Sequence, residues 1–409
     1  MKDVMLPQVL DGAPLVVCLG PGGVGKTTLS AVLSLHQAAA GHRSLVLTID
    51  PARRLADALG VPILTNDPVE ITTYRKMHPA GSLSALMLDP TATFDHLIAL
   101  LVGDPARRQA LLANRAYQHL SRYLAGTLEY MAVERLHELT RGDQFDAIVL
   151  DTPPTTNALD FLEAPERLAR FFSDRVIKRF MPQPAAGSWS ARLWHRASGS
   201  VLSLLSRAAG ESFVNDAVGF VSTFGDLFGH FRARGIAVGK TLRDPRTRFV
   251  IVCAPDPNRL AEARTIDRRL AEARCRAHAF IVNRVDQPFL PAARAPDALL
   301  RATALLGGAA ERERVQLFID RLEAMRRVQE SSAATHAQAV EELRDYAGKR
   351  PVFVAPRVPL GQSPRASLLA LYVGLFAEAA DPATLREPTA QPPQPSPWTG
   401  VGRRETDRP

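Results

Sequence analysis

LVVCLGPGGVGKTT, at residues 15–28, contains the strongest structural signal in the chain. Its apolar run Leu15–Leu19 predicts a buried strand, the glycines that follow predict a tight loop, and a helical pattern begins at Thr27. The loop has the form G-x-x-x-x-G-K-T. Glycines at such a turn let backbone N–H groups point at an anion, and the helix N-terminus adds further donors. The stretch therefore predicts a phosphate-binding loop.

Each residue of this loop has a predicted role in binding a nucleoside triphosphate. Lys26 is expected to reach the β- and γ-phosphates, and the Thr27 hydroxyl to coordinate Mg²⁺. The remaining contacts are predicted at Gly20, Gly22, Gly23, Val24, Gly25 and Thr28. A chance glycine turn is the alternative, but a strand pattern before the loop and a helix pattern after it favour the phosphate loop.

Apolar runs that end in an acidic residue recur along the chain, as expected for a parallel sheet with helices between its strands. The run at 44–49 is followed by Asp50, and the run at 145–150 by Asp151. Ligands of such sheets bind at the carboxyl ends of strands. Asp50 is therefore a candidate to orient an attacking water, and Asp151 to hold Mg²⁺, partly through water. For Asp50, the N-cap of a helix starting near Ala52 is the structural alternative.

Two strand patterns near the end of the chain lead into further polar or proline-marked segments. The strand predicted at 279–282 ends in Asn283 and Arg284, a pair that can hydrogen-bond a base edge, with turn chemistry as the alternative. The last strand, predicted at 351–355, leads into Pro356 and Val358.

The α/β alternation is interrupted by residues 160–245, which have helical apolar spacing. They include a stripe with Phe220, Phe224 and Phe228. The simpler interpretation is a helical subdomain that buries its own core, and the alternative is an apolar groove for a client helix. We therefore predict one P-loop domain over residues 1–380 with this insertion, followed by a disordered tail at 381–409.

Composition narrows the class of protein. The net charge is +8, but the basic residues are scattered, so a solvated basic surface is favoured over direct nucleic-acid binding. Cys18, Cys253 and Cys275 form no C-x-x-C motif, which favours a reducing compartment and argues against a thiolate metal site. No stretch has the length of a membrane span, and no signal-peptide core is present, so we expect a cytoplasmic protein.

Four ordered motifs together resemble one known family. They are GPGGVGKTT at 20–28, DPARRLADALG at 50–60, DTPPTTNALDFL at 151–162 and IVNRV at 281–285. The set resembles the ArsA-like arsenite-pump ATPases and the tail-anchored-protein-targeting ATPases, in the deviant-Walker class of P-loop proteins. The resemblance implies an α/β fold with a doubly wound, mostly parallel sheet and a helical insertion. It also implies Mg²⁺-dependent ATP hydrolysis that drives a conformational switch in a protein that dimerises around nucleotide.

The same resemblance assigns roles to individual residues. Asp50 corresponds to a switch aspartate that activates water, and Asp151 begins the second switch. Asn283 corresponds to an asparagine that contacts adenine. Pro356 and Val358 lie in a segment that corresponds to a loop closing over the base.

The chain departs from the family pattern at Pro21, where members usually carry a second lysine that reaches the partner's phosphates. Arg53 or Arg54 could supply the missing charge. Alternatively, a lysine-bearing paralogue could pair with this chain in a heterodimer instead of a homodimer. A client-binding chaperone and a low-turnover regulatory partner are the alternative functions, and a metalloid pump is disfavoured because the cysteines form no recognisable site.

Overall fold

The computed structural model describes residues 4–50, 52–101, 104, 105, 109, 128–153, 233–288, 309–358 and 363–376. Within them, the strands are β1 (Leu15–Leu19), β2 (Arg43–Thr48), β3 (Val69–Glu70), β4 (Ser82–Met87), β5 (Ala147–Asp151), β6 (Arg248–Cys253), β7 (Ala277–Val285) and β8 (Val352–Pro356). They form one sheet in the order β3-β4-β2-β5-β1-β6-β7-β8. Neighbouring strands are parallel except β3 and β4, which are antiparallel. The predicted mostly parallel α/β sheet is confirmed.

Helices cover both faces of this sheet. They are α1 (Leu6–Leu10), α2 (Lys26–Ala39), α3 (Arg54–Leu59), α4 (Pro90–Leu101), α5 (Leu128–Arg141), α6 (Pro257–Glu272), α7 (Ala309–Ala347) and α8 (Pro364–Phe376). A 3₁₀ helix spans Thr72–Met77, and residues 233–242 are also helical.

Two hydrophobic cores follow from the alternation of side chains along the strands. In β1, Leu15, Val17 and Leu19 face a core shared with α4, α5, α6, α7 and the helix at 233–242. The intervening Val16 and Cys18 face the other core, which packs α1, α2, α3 and α8. A strand that is buried on both faces reads as a continuous apolar run, which is why β1 was recognisable in the sequence. The sheet is therefore doubly wound.

Several predicted boundaries differ from the observed ones. Helix α3 begins at Arg54, two residues later than expected, and β7 is longer than the predicted 279–282. The two-residue β3 and the short α1 were not predicted. Of the predicted insertion at 160–245, only 233–245 is described, and its phenylalanine stripe lies outside the described residues, as does the tail at 381–409.

Helix α7 is 39 residues long and differs between its two halves. Its C-terminal half packs against the sheet through buried residues that include Val340 and Leu343. Its N-terminal half exposes Leu317, Phe318, Met325 and Val328. None of the helices in the described ranges has the length and apolar character needed to cross a membrane.

Candidate functional site

The candidate site lies at the carboxyl end of β1, where the chain changes direction across the sheet. β5 and β2 lie on one side of β1, and β6 and β7 lie on the other. Open α/β sheets bind ligands in the crevice at such a point. Cys18 of β1 and Thr48 of β2 both pair in register with Asp151 of β5. The loop after β1, Asp50 after β2 and Asp151 therefore meet at one edge of the sheet.

Asn283 of β7 hydrogen-bonds the backbone of the loop. Its Nδ2 donates to the carbonyl of Val24 at 2.8 Å. Gly25 has a φ of +90°, and a Cβ there would lie 2.4 Å from Asn283 Nδ2. A Cβ on Gly20 would lie 2.1 Å from the carbonyl oxygen of Val252 in β6. The loop therefore needs glycine at both positions because neighbouring strands leave no room for a side chain.

Lys26 begins helix α2 and is enclosed by the loop. Its Nζ donates to the carbonyls of Gly20 at 2.9 Å and Pro21 at 2.8 Å. Burial lowers the pKa of Lys26 to about 8, and the nearby charge of Asp151 opposes that shift. Pro21 carries no charge, but its carbonyl helps to position the ammonium group at the base of the loop.

Asp151 is fully buried and is surrounded by hydroxyl groups. Thr48 Oγ1 donates to its Oδ2 at 2.9 Å, and Ser30 Oγ donates to its Oδ1 at 3.4 Å. Burial raises the pKa of Asp151 to about 6, and hydrogen bonds from Thr27 and Thr48 oppose the shift. The two residues predicted to hold Mg²⁺, Thr27 and Asp151, are thus close enough for the Thr27 hydroxyl to influence the pKa of Asp151.

Asp50 is connected to Asp151 through Thr48. The backbone N–H of Asp50 donates to Thr48 Oγ1 at 3.2 Å, and that hydroxyl donates to Asp151. The Asp50 carboxylate closes a turn, with Oδ1 accepting from the N–H of Ala52 at 3.0 Å. Its other oxygen, Oδ2, forms an ion pair with Arg54 Nη1 at 2.7 Å.

The two arginines that follow Asp50 point to different partners. Arg53 is the N-cap of α3, so Asp50 lies outside that helix and is not its cap. The Arg53 guanidinium donates to the carbonyl of Pro62. Arg54 is the first residue of α3, and its side chain is 61% exposed. The positive charge of Arg54 contributes to lowering the pKa of Lys26, so the two cations lie near each other.

The remaining predicted contacts lie at the ends of β7 and β8. Asn283 is buried, and its Oδ1 accepts from the N–H of Arg284 at 2.9 Å. Arg284 has a left-handed φ of +63° and lines a cleft of about 800 Å³ together with Gly22 and Gly23. On the neighbouring strand, Pro356 pairs in register with Val285. Asn283 thus supports the loop, and its contact with adenine stays a prediction.

The residues that meet at this edge fit a nucleoside triphosphate with Mg²⁺. The ligand set around Asp151 consists of carboxylate and hydroxyl oxygens, which are the donors that Mg²⁺ prefers. The glycine loop leaves its outer face open at Gly23, where a Cβ would meet no atom within 4 Å. Thr28 is half-buried on the first turn of α2.

Two supporting residues were missed at the level of sequence. Thr48 and Ser30 both contact Asp151, and neither belongs to a recognised motif. Ser30 follows Thr27 by three residues, so helical spacing places both on one face of α2 and could have revealed it. Thr48 becomes recognisable only when β2 and β5 are known to be neighbours.

Residues 14–187 match the model of a protein family described as anion-transporting ATPase. This segment is similar to that family. It contains the phosphate loop, Asp50 and Asp151, whereas Asn283 and Pro356 lie beyond it. The family match therefore covers the part of the chain where the phosphate loop and the two aspartates meet.

Individual relatives extend the similarity beyond this segment. "Protein Rv2184c" of Mycobacterium tuberculosis is 34% identical over 158 residues, which is 37% of each chain. "ATPase GET3" of Malassezia globosa is 30% identical over 40% of this chain and 47% of its own length. "ATPase GET3A" of Arabidopsis thaliana is 27% identical over 70% of this chain and 71% of its own. The chain thus spans less than half the length of the first two relatives.

The cysteines of this chain are unsuited to thiolate chemistry. Burial raises the pKa of Cys18 and Cys253 to about 12, so both thiols stay protonated near neutral pH. Cys275 is half-buried, and burial raises its pKa as well. Across the described ranges, no group of three or more His, Cys, Asp or Glu side chains could hold a metal ion.

Proposed function

We propose that this chain binds Mg²⁺-ATP at the phosphate loop and hydrolyses it to drive a conformational switch, in a reducing, cytoplasmic setting in keeping with its free thiols. One observation carries the proposal: the buried carboxylate of Asp151, which accepts hydrogen bonds from Thr48 and Ser30, lies beside a loop that encloses Lys26. The match of residues 14–187 to a family described as anion-transporting ATPase supports it. The alternative is a regulatory partner with low turnover, in which the same site binds nucleotide without hydrolysing it.

Phosphoryl transfer needs little covalent chemistry from the protein, so the proposed roles are positioning and charge neutralisation. The Lys26 ammonium and the loop N–H groups stabilise negative charge on the phosphates. Thr27 and Asp151 would hold Mg²⁺, which supplies further positive charge to the phosphate oxygens when it is bound. Asp50 orients the attacking water, and Thr48 fixes the backbone of Asp50 relative to Asp151.

Replacement of Lys26 by Ala tests this function. We expect phosphate release by the purified chain to fall by roughly 100-fold or more, because a preorganised cation at the transferring phosphate is lost. Lys349→Ala is the matched control, since Lys349 is an exposed lysine beyond the end of α7. Undiminished turnover in Lys26→Ala would refute the assignment. ATP binding without turnover in the unmodified chain would favour the regulatory partner.

We also propose that the chain acts as a dimer, either with itself or with a lysine-bearing paralogue. The resemblance to ATPases that dimerise around nucleotide supports this. Light scattering with and without a non-hydrolysable ATP analogue tests it. A nucleotide-dependent doubling of mass supports the homodimer, and a strictly monomeric chain that becomes active only with a paralogue supports the heterodimer.

A second candidate function, binding of an apolar client helix, is favoured by α7. Its exposed residues Leu317, Phe318, Met325 and Val328 fall within an arc of about 100° on the helix surface. Replacing Phe318 and Val328 by Ser should weaken binding of a fluorescent apolar helical peptide. Gln316→Ser is the control, because Gln316 lies outside that arc. Equal binding by both variants would rule out this stripe as the client surface.

A further inference from the structure

The ion pair between Asp50 and Arg54 conflicts with the proposed role of Asp50. Arg54 Nη1 lies 2.7 Å from Asp50 Oδ2, and the N–H of Ala52 donates to Oδ1. Both carboxylate oxygens therefore already accept a hydrogen bond within the protein. A carboxylate that is neutralised by a guanidinium is a weaker acceptor for a water proton. Asp50 would orient water better after Arg54 has left it.

Of the two arginines that follow Asp50, Arg54 is the better placed to serve the phosphate site. Arg53 is turned toward the carbonyl of Pro62, and Pro21 leaves the loop itself with one lysine. The Arg54 guanidinium is largely exposed and lies close enough to Lys26 for its charge to act there. A planar guanidinium with five N–H donors suits a phosphate as well as a carboxylate. Its exposed position at the start of α3 lets the side chain rotate without disturbing the core.

We propose that Arg54 is a phosphate-binding residue that exchanges partners. In the nucleotide-free chain its guanidinium pairs with Asp50, and on triphosphate binding it transfers to the terminal phosphate and releases Asp50 to orient water. This inference rests on the proposed function of the loop. The exchange gives the site its second cation from the same chain, in spite of Pro21. Because a diphosphate lacks the third phosphate that receives the guanidinium, Arg54 discriminates between the two nucleotides.

Calorimetric titration of the full-length chain with a non-hydrolysable ATP analogue and with ADP tests the exchange. In Arg54→Gln we expect affinity for the analogue to fall roughly 10- to 100-fold, the usual worth of a charge-assisted hydrogen bond, and affinity for ADP to change less than about 2-fold. Arg54→Lys should recover part of the lost affinity, since lysine restores the positive charge but not the planar set of guanidinium donors. Arg53→Gln is the matched control and should alter neither affinity.

The outcomes separate this inference from the function on which it rests. If the unmodified chain binds and hydrolyses ATP but Arg54→Gln keeps its preference for the analogue over ADP, the exchange is refuted and the proposed function stands. Equal losses for both nucleotides would also refute it, because they would indicate general damage to the site. If the unmodified chain binds neither nucleotide, both proposals fail. Arg54 is exposed, so melting temperatures of all variants should agree within about 2 °C.

Discussion

Replacement of Gly25 by Ala tests whether the phosphate loop depends on the close packing of Asn283 against Gly25. At this position φ is +90°, which an L-residue adopts only with strain. The new Cβ would also lie 2.4 Å from Asn283 Nδ2, the atom that donates to the carbonyl of Val24. Asn283 must therefore move, and its hydrogen bond to the loop must break.

The expected cost follows from these separate contributions to the free energy of unfolding. Left-handed backbone costs an alanine about 1–2 kcal/mol. Restriction of the unfolded chain returns about 0.4–1 kcal/mol. Loss of the buried Asn283 to Val24 hydrogen bond adds about 1 kcal/mol. The sum is a destabilisation of about 2 kcal/mol for Gly25→Ala.

Urea unfolding followed by circular dichroism at 25 °C measures this cost against a matched control. Gly12 also has a positive φ, +62°, but a Cβ there would meet no atom within 4 Å. Gly12→Ala should therefore cost only about 0.5–1 kcal/mol. In an Asn283→Ala background, the cost of Gly25→Ala should fall toward the Gly12 value. A Gly25→Ala variant that is as stable as Gly12→Ala would refute the reasoning.

Two further predictions concern buried polar groups. The ring of His36 stacks on Phe376 with 4.0 Å between the ring centroids, and burial lowers the pKa of His36 to about 4. As the pH falls below about 6.5, His36 therefore takes up a proton in the unfolded chain before it does so in the folded protein. Unfolding free energies should thus decrease by up to about 3 kcal/mol between pH 6.5 and 4, and His36→Phe should remove that part of the slope; an unchanged slope contradicts it. Asp151→Asn should abolish the Mg²⁺ dependence of ATP affinity in titration calorimetry. Its stability in metal-free buffer should be retained, because a neutral amide costs less to bury than a carboxylate, and a large loss of stability would contradict this.

Much of the sheet was predictable because its strands are buried on both faces. Continuous apolar runs ending in Asp50 and Asp151 mark β2 and β5 without any knowledge of neighbours. Val69–Glu70 was not predictable, because two residues contain no periodicity. The same holds for α1, whose five residues include Pro7. The strand order was not predictable from local sequence, because β5 lies between β1 and β2 in the sheet although it follows β2 by about a hundred residues in the chain.

Some features of the candidate site are likewise encoded in short sequence motifs, and others depend on contacts between distant parts of the chain. The phosphate loop and the i, i+4 spacing of Asp50 and Arg54 lie within single sequence motifs. The contact between Asn283 and Val24 joins residues 259 positions apart, and no local pattern encodes it. The sequence therefore predicts a base contact for the polar pair Asn283-Arg284, whereas in the structure the amide of Asn283 supports the loop.

The anchoring of α7 has a mechanical consequence. Near the middle of the helix, Ser332 Oγ donates to Asp286 Oδ2 at 2.7 Å, and His336 Nδ1 accepts from the Asp286 backbone N–H at 3.0 Å. Asp286 also pairs with Arg357 at the end of β8, next to the segment predicted to close over a base. The part of α7 between Ser332 and its first residue is about 35 Å long, at 1.5 Å per residue. A tilt of 10° about this fulcrum would move the far end by about 6 Å, so a lever of this length magnifies small displacements at the sheet edge.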